Sequence, residues 1–155
     1  MARVLVSACL LGEACRYDGR SKRDDAVLGY LADHQAVPVC PERDGGLGVP
    51  RPTSHLTGGD GFSVLEGEAR VLDLGGADVT ECFLTGAAAA LAAAREHGVR
   101  CAILKERSPS CGLRSAEVDR GEREGVGVAA ALLIGEGIEV YSEEDVAAGR
   151  MPKVE

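Results

Sequence analysis

Aromatic residues are scarce in this chain of 155 residues, which has no tryptophan, two phenylalanines and three tyrosines. Its core must therefore be built from aliphatic side chains and alanine. Basic residues are few as well: 17 Lys and Arg stand against 25 Asp and Glu, for a formal net charge of -8. This charge argues against a nucleic-acid-binding surface, which needs a basic face to bind phosphates. It is compatible with a small-molecule ligand.

Long apolar runs and a secretory leader are also missing. No stretch approaches the roughly 18 apolar residues that a transmembrane helix needs. Met1 and Ala2 lead directly into a strand pattern, without the charged and apolar regions of a signal peptide. We therefore expect a protein without membrane association in the reducing cytoplasm, where six cysteines are metal ligands or reactive thiols rather than disulfides.

Strand and helix patterns alternate along the chain, whose length corresponds to a single domain over residues 1–155. This alternation predicts a mostly parallel, Rossmann-like sheet in a three-layer α/β/α sandwich. The predicted strands are 3–8, 36–39, 99–105 and 137–141, and the predicted helices are 22–34 with Ser21 as N-cap, 80–97, 125–135 and a short one capped by residues 142–145. We expect a loop over 41–61, a small hairpin of 62–65 with 68–72, and a loop over 113–124.

Three cysteines, Cys9, Cys40 and Cys111, each follow a predicted strand. The carboxyl ends of parallel strands meet at one edge of the sheet, where ligands bind, so we expect the three thiols to converge. Zinc, an iron–sulfur cluster and plain packing are all possible at this point. No Cys-x-x-Cys pair, which is typical of structural zinc sites, occurs in the chain. One thiol from each of three loops suits a larger iron–sulfur cluster with one iron left open as a Lewis acid.

The cysteines also allow a packing role and a nucleophilic role. Cysteine often packs as a small apolar residue, and we prefer that role for Cys82 and Cys101, while Cys15 is either a bystander or an additional ligand. Alternatively, a strand followed by a cysteine and a loop that ends in arginine is similar to the nucleophile loop of low-molecular-weight phosphatases and arsenate reductases. The six residues between Cys9 and Arg16 are one more than in that loop, and the run of small residues that cradles a phosphate is missing.

Polar residues near the three predicted strand ends are candidates for the chemistry. Glu42 lies two residues after the second of these cysteines and could act as a general acid or base. Ser108 and Ser110, just before the third, either orient a substrate or a water, or cap the following turn. Asp18 either contacts a ligand or forms a turn, and His55 lies in the predicted loop without a preferred role.

Four ordered segments of the chain resemble the thiouracil desulfidase family, long known only as a domain of unknown function. They are Val-Ser-Ala-Cys-Leu-Leu-Gly with Cys-Arg-Tyr-Asp-Gly (6–19), Cys-Pro-Glu with Gly-Gly-Leu and Pro-Arg-Pro (40–52), Asp-Val-Thr (78–80) and Leu-Lys-Glu-Arg-Ser-Pro-Ser-Cys-Gly (104–112). The resemblance implies a 4Fe–4S cluster on Cys9, Cys40 and Cys111. It also implies non-redox removal of sulfur from a small-molecule thiopyrimidine such as 2-thiouracil, which gives uracil and hydrosulfide.

The resemblance also implies roles for the polar candidates. Glu42 would be the acid or base and Ser108 would hold the substrate, with Ser110 as the second choice for that role. We also expect Ser110, Asp18 and Arg51 to bind the substrate. A soft thione sulfur is a natural ligand for thiolate-bound iron. The alternative hypothesis is a non-catalytic iron–sulfur or zinc-binding module, and nothing in the sequence specifies an oligomeric state.

Two segments depart from the family pattern. His55 lies close to the position at which a glutamate is expected. Residues 117–121 read as a degenerate form of a turn that contains tyrosine and glycine. Both segments are expected at the rim of the pocket, so they bear on the identity of the substrate more than on the cluster.

Overall fold

The computed structural model describes residues 2–118 and 121–153. The strands are β1 (Arg3–Ser7), β2 (Gln35–Val39), β3 (Ser54–Thr57), β4 (Arg70–Asp73), β5 (Cys101–Leu104), β6 (Ser115–Val118), β7 (Gly121–Glu124) and β8 (Glu139–Ser142). The α-helices are α1 (Asp25–Tyr30), α2 (Pro41–Asp44), α3 (Gly61–Leu65), α4 (Thr80–Glu96), α5 (Val128–Gly135) and α6 (Glu143–Ala147). Two 3₁₀ turns cover Ala8–Leu11 and Leu31–Asp33. None of the helices in these described ranges is long and apolar enough to cross a bilayer.

A parallel sheet of four strands, in the order β2-β1-β5-β8, organises the fold. Side chains alternate between its faces, so that Leu5 packs with residues of α4 and α5, while Val4 and Val6 pack with residues of α1 and α6. Helices therefore cover both faces of the sheet. The predicted three-layer α/β/α arrangement is confirmed.

A second sheet, with the order β4-β3-β6-β7, was not predicted. It packs on the other side of α4 and α5, around the buried Phe83. In this sheet β3 pairs antiparallel with β4 and parallel with β6, while β6 and β7 form a hairpin. The segments 41–61 and 113–124, both expected to be loops, thus supply α2 and three of the four strands.

The expected hairpin of 62–65 with 68–72 is wrong. Residues 61–65 form α3 because the Asp60 carboxylate accepts the backbone N–H groups of Phe62 and Ser63 at the start of the helix. Strand β4 pairs with β3 instead, which lies in a Gly- and Pro-rich stretch whose composition is typical of a loop.

Local patterns predicted one helix start incorrectly and another correctly. The first helix begins at Asp25 rather than residue 22, because Asp24, and not Ser21, accepts the N–H of Val27 and caps it. The capping of α6 is confirmed as a capping box between Ser142 and Asp145.

Candidate active site

The carboxyl ends of β1, β2 and β5 open into one cavity of about 500 Å³. Cys9 follows β1 after one residue, Cys40 directly follows β2, and Cys111 lies in the loop after β5; all three are buried and line this cavity. The structure therefore brings together the three thiols that were expected to converge from distant parts of the chain.

A fourth thiol lies in the same wall. Cys15 is only 3% exposed and lines the cavity, and the Cys40 thiol lies 3.6 Å from its backbone oxygen, within hydrogen-bond distance. The two remaining cysteines do not line this cavity: Cys101 is the first residue of β5 and packs in the core, and Cys82 is on α4. Their expected packing role is consistent with these positions.

The thiols around the cavity perturb one another. Burial raises the pKa of Cys9 to about 11 and that of Cys111 to about 12, and the neighbouring Cys40 adds to both shifts. A hydrogen bond with Cys15 lowers the pKa of Cys40 to about 7, and the same bond, with burial, raises the pKa of Cys15. Several thiolates would repel one another in this low-dielectric site unless a positively charged centre balanced them.

The donor set at this cavity fits an iron–sulfur group. In the described part of the chain, no three His, Cys, Asp or Glu side chains lie close enough to hold a single metal ion. The three thiols after β1, β2 and β5 surround a space of several hundred Å³, and thiolates are the ligands that iron–sulfur clusters use.

Glu42, at the start of α2, presents its carboxylate to the same cavity. Its Oε2 accepts a hydrogen bond from Ser110 Oγ at 3.1 Å, and its Oε1 accepts one from Arg51 Nε at 3.1 Å. The Arg51 and Glu42 side chains are only 6% and 13% exposed, so this ion pair is shielded from solvent. Both carboxylate oxygens are therefore held in fixed positions.

The Oγ atoms of Ser108 and Ser110 lie 2.9 Å apart, within hydrogen-bond distance, but the two hydroxyls differ in their other contacts. Ser108 Oγ accepts the backbone N–H groups of Ser110 and Cys111, each at 3.1 Å, and so caps the turn that carries the cysteine. Ser110, which is 2% exposed, donates to Glu42 and lies 3.6 Å from the Cys111 sulfur. Of the two hydroxyls, Ser110 is the one in contact with the candidate acid or base.

The structure does not bring every predicted site residue to the cavity. Asp18 is exposed, does not line the cavity, and accepts the N–H of Arg20, which is the turn role left open by the sequence. The structure therefore does not bring Asp18 into the cavity with the other predicted site residues. Arg51 does line the cavity, as does the buried His55 from β3. Residues 119 and 120 of segment 117–121, which departs from the family pattern, lie outside the described residues.

Comparisons with known proteins identify the family of this chain. Residues 4–145 match the model of the 2-thiouracil desulfurase family. The chain belongs to this family. The uncharacterized protein YbbK of Bacillus subtilis (strain 168) is 40% identical over 146 residues, which are 92% of this chain and 97% of YbbK. A solved structure described as the [4Fe-4S]-dependent thiouracil desulfidase TudS is 37% identical and matches with a TM-score of 0.79, covering 96% of this chain and 95% of that one.

Lys105 also lines the cavity of this desulfurase-family chain, although the sequence did not predict it as a site residue. The Lys105 backbone N–H donates to Ser7 Oγ at 2.9 Å, and its positive charge lowers the pKa of Cys9 against the larger effect of burial. A signal was present, since Lys105 directly follows the fully apolar strand β5 and so lies at the functional edge of the sheet. The strand pattern by itself places Lys105 only at the end of the strand.

Close backbone packing sets the position of the site loops. A Cβ on Gly86 of α4 would lie 1.8 Å from the Pro41 carbonyl oxygen, and one on Gly127 would lie 2.5 Å from the Ser110 carbonyl carbon. No side chain fits at either position. The two glycines therefore let α4 pack closely against α2, which carries Glu42, and let the start of α5 pack closely against the loop that carries Cys111.

Proposed function

We propose that this chain is an iron–sulfur-dependent desulfidase that acts on a thiolated pyrimidine such as 2-thiouracil. The observation that carries the proposal is that three buried thiols from three strand ends line one cavity together with the Glu42–Ser110 pair. Membership of the 2-thiouracil desulfurase family and the likeness to TudS support it. In the reaction, one C=S bond and one water become one C=O bond, a hydrosulfide ion and a proton, so no electron donor or acceptor is required.

Cys9, Cys40 and Cys111 are the residues that would hold the cofactor. A 4Fe–4S cluster bound there supplies an open iron as a Lewis acid for the soft thione sulfur. The chain would contribute three buried thiolates, which are the ligands that such a cluster uses.

Glu42 is positioned to accept and donate the proton that the reaction transfers. As a general base it takes a proton from the attacking water, and as an acid it returns one to the pyrimidine ring. Arg51 fixes one carboxylate oxygen, while the Ser110 hydroxyl on the other oxygen can pass a proton between Glu42 and a bound ligand. We therefore assign to Ser110 the contact with substrate that the family resemblance implies first for Ser108, whose Oγ already accepts two backbone N–H groups.

The mouth of the cavity suits a neutral, planar substrate. Leu74, which is 63% exposed, and the exposed Tyr17 ring line it, and such apolar surfaces stack with a heterocycle. No charged group on the substrate is required by this rim.

The first experiment tests the cofactor. Anaerobic reconstitution with iron and sulfide should give about four of each per chain with a visible charge-transfer spectrum. Cys9→Ala, Cys40→Ala and Cys111→Ala should each abolish the spectrum, while the matched control Cys82→Ala should retain it. Zinc as the sole bound metal, or a spectrum that survives loss of a proposed ligand, would contradict the cluster.

The second experiment separates an enzyme from a non-catalytic cluster-binding module. The reconstituted protein should release sulfide from 2-thiouracil, and Glu42→Gln should lower the rate about 10²- to 10⁴-fold with unchanged iron content. Glu81→Gln, an exposed carboxylate of α4, is the control. A fully loaded wild-type protein that releases no sulfide from a panel of thiopyrimidines would favour the module.

A further inference from the structure

A second cavity, of about 280 Å³, adjoins the active-site cavity. Three residues line both cavities: Lys22, Lys105 and Arg107. Every side chain at this junction is therefore a cation, in a chain whose net charge is -8. A cluster of positive charge in an acidic protein attracts small anions to that point.

Lys105 is the most buried of the three junction cations. Its side chain is 14% exposed, and its ammonium group contacts Glu143 Oε2 at 3.0 Å and donates to the Glu106 carbonyl oxygen at 2.9 Å. Glu143, 10% exposed, also accepts the Glu106 N–H at 2.7 Å, so the pair is held rigidly. An ammonium group has three N–H donors, and these contacts leave one for a ligand.

Arg107 is held in an unusual backbone conformation. Among the described residues it is the non-glycine residue with a positive φ, at 67°. This left-handed conformation is unfavourable for a residue that has a side chain. The loop holds this residue at the junction in spite of its conformation, and Arg107 forms an ion pair with Glu144, which also lines the second cavity.

Lys22 completes the junction from the opposite loop. Its backbone N–H donates to the carbonyl oxygen of Cys9 at 2.9 Å, which ties its position to that of the cysteine. The acidic residues of the second cavity already have partners: Glu143 and Glu144 pair with junction cations, and Asp24 caps α1. Arg23, which also lines the second cavity, pairs with Asp25, so Lys22 is the lining cation without an ion pair among the described residues.

We propose that the junction of Lys22, Lys105 and Arg107 binds the hydrosulfide ion produced in the active site and releases it through the second cavity. This inference rests on the proposed function. The apolar rim at Tyr17 and Leu74 would admit the neutral thiopyrimidine, while the anionic product leaves past the cations.

A crystal experiment tests the anion site without turnover. Bromide is a monovalent anion of a size similar to hydrosulfide, and anomalous scattering locates it. Crystals of the full chain soaked in bromide should show an ion at the junction, and this ion should be lost in Lys105→Met and weakened in Arg107→Gln. The absence of an ion at the junction, or an ion that persists in both variants, would overturn the proposal.

A kinetic experiment tests the identity of the anion. In the reconstituted enzyme, Lys105→Met should raise the inhibition constant of added sulfide about tenfold, as expected for the loss of one partly buried charge, and Arg107→Gln should raise it less. In both variants the KM for 2-thiouracil should rise less than the inhibition constant. Because Arg107→Gln alters an exposed side chain, this variant still tests the proposal if Lys105→Met does not fold. Lys153→Met, an exposed cation that lines neither cavity, is the matched control.

The outcomes separate this inference from the proposed function. If the wild-type enzyme releases sulfide but sulfide inhibition is unchanged in both variants, only the exit route is wrong. If KM for 2-thiouracil rises as much as the inhibition constant, the junction belongs to the substrate site and the exit route is also wrong. If no sulfide is released from any thiopyrimidine, the proposed function fails and this inference fails with it.

Discussion

Ser110 Oγ donates a hydrogen bond to Glu42 Oε2 across 3.1 Å, although the two residues are 68 positions apart in the chain. The hydroxyl comes from the loop after β5 and the carboxylate from the helix after β2. Their contact joins two of the loops that carry buried thiols. The candidate acid or base is thus coupled directly to the turn that holds Cys111.

This contact predicts different results for the two serines. Ser110→Ala should lower kcat for desulfuration about 10- to 100-fold with unchanged iron content, because Glu42 loses its hydroxyl partner. Ser108→Ala should lower the free energy of unfolding by about 1–2 kcal/mol and reduce cluster loading, because two backbone N–H groups lose their acceptor. Steady-state kinetics, iron analysis and urea unfolding of both variants measure these effects. A fully loaded, stable Ser108→Ala protein with low kcat would restore Ser108 as the residue that holds substrate.

The shielded ion pair of Arg51 with Glu42 predicts strong coupling. Arg51→Met leaves a buried carboxylate without its cation and should lower the free energy of unfolding by about 3 kcal/mol. Arg51→Met combined with Glu42→Gln should cost much less than the sum of the single changes. Arg43→Met is the matched control, since Arg43 pairs with Glu13 on the surface, where the loss should be below about 1 kcal/mol. If Arg51→Met and Arg43→Met lose equal free energies of unfolding in urea, then burial does not strengthen the contribution of the Arg51–Glu42 ion pair.

The contact of Gly86 with Pro41 predicts that a residue distant from the chemistry controls cofactor loading. Gly86→Ala places a methyl group 1.8 Å from a backbone oxygen, so α2 must move, together with Cys40 and Glu42. We expect a loss of about 1–3 kcal/mol in stability and reduced iron content after reconstitution. Gly29→Ala in α1, where nothing lies within 4 Å, should retain full loading and gain up to about 1 kcal/mol. Full loading of Gly86→Ala would contradict the supporting role of α4.

The lowered pKa of the Asp145 carboxyl predicts that the protein loses part of its stability at acidic pH. Burial raises the pKa of this carboxyl, but hydrogen bonds from Arg114, from the Ser142 N–H and from Arg150 together outweigh burial and hold it below the usual 3.8. Because the unfolded chain takes up the proton first, the stabilisation is present above pH 3.8 and is lost as the pH falls through the lower folded value.

The measurement for Asp145 compares urea unfolding at about pH 5 and about pH 3. Wild-type protein should lose more stability over this range than Asp145→Asn, in which this group no longer titrates. Asp25→Asn, a carboxylate exposed on the surface, should behave like wild type. An equal loss for wild type and Asp145→Asn would show that another group is responsible.

Local patterns in the chain were sufficient for the parallel sheet and for the grouping of Cys9, Cys40 and Cys111. Apolar β-branched runs identify buried strands without knowledge of their neighbours, and right-handed crossovers force their carboxyl ends to one edge. The same reasoning failed for β3, a strand of four residues between Pro52 and Gly58, because its pairing with β4 and β6 outweighs its turn-forming surroundings.

The side-chain partners within the site were decided by tertiary packing. Spacing alone places Ser108 and Ser110 in the same turn, but only the approach of α2 determines which hydroxyl meets Glu42. In the same way, Lys105 is an ordinary strand-end residue in the sequence and a cavity cation in the fold, because α6 brings Glu143 to its ammonium group. The positions of the buried parallel strands follow from periodicity along the chain, whereas hydrogen-bond partners depend on distances between elements that are remote in sequence.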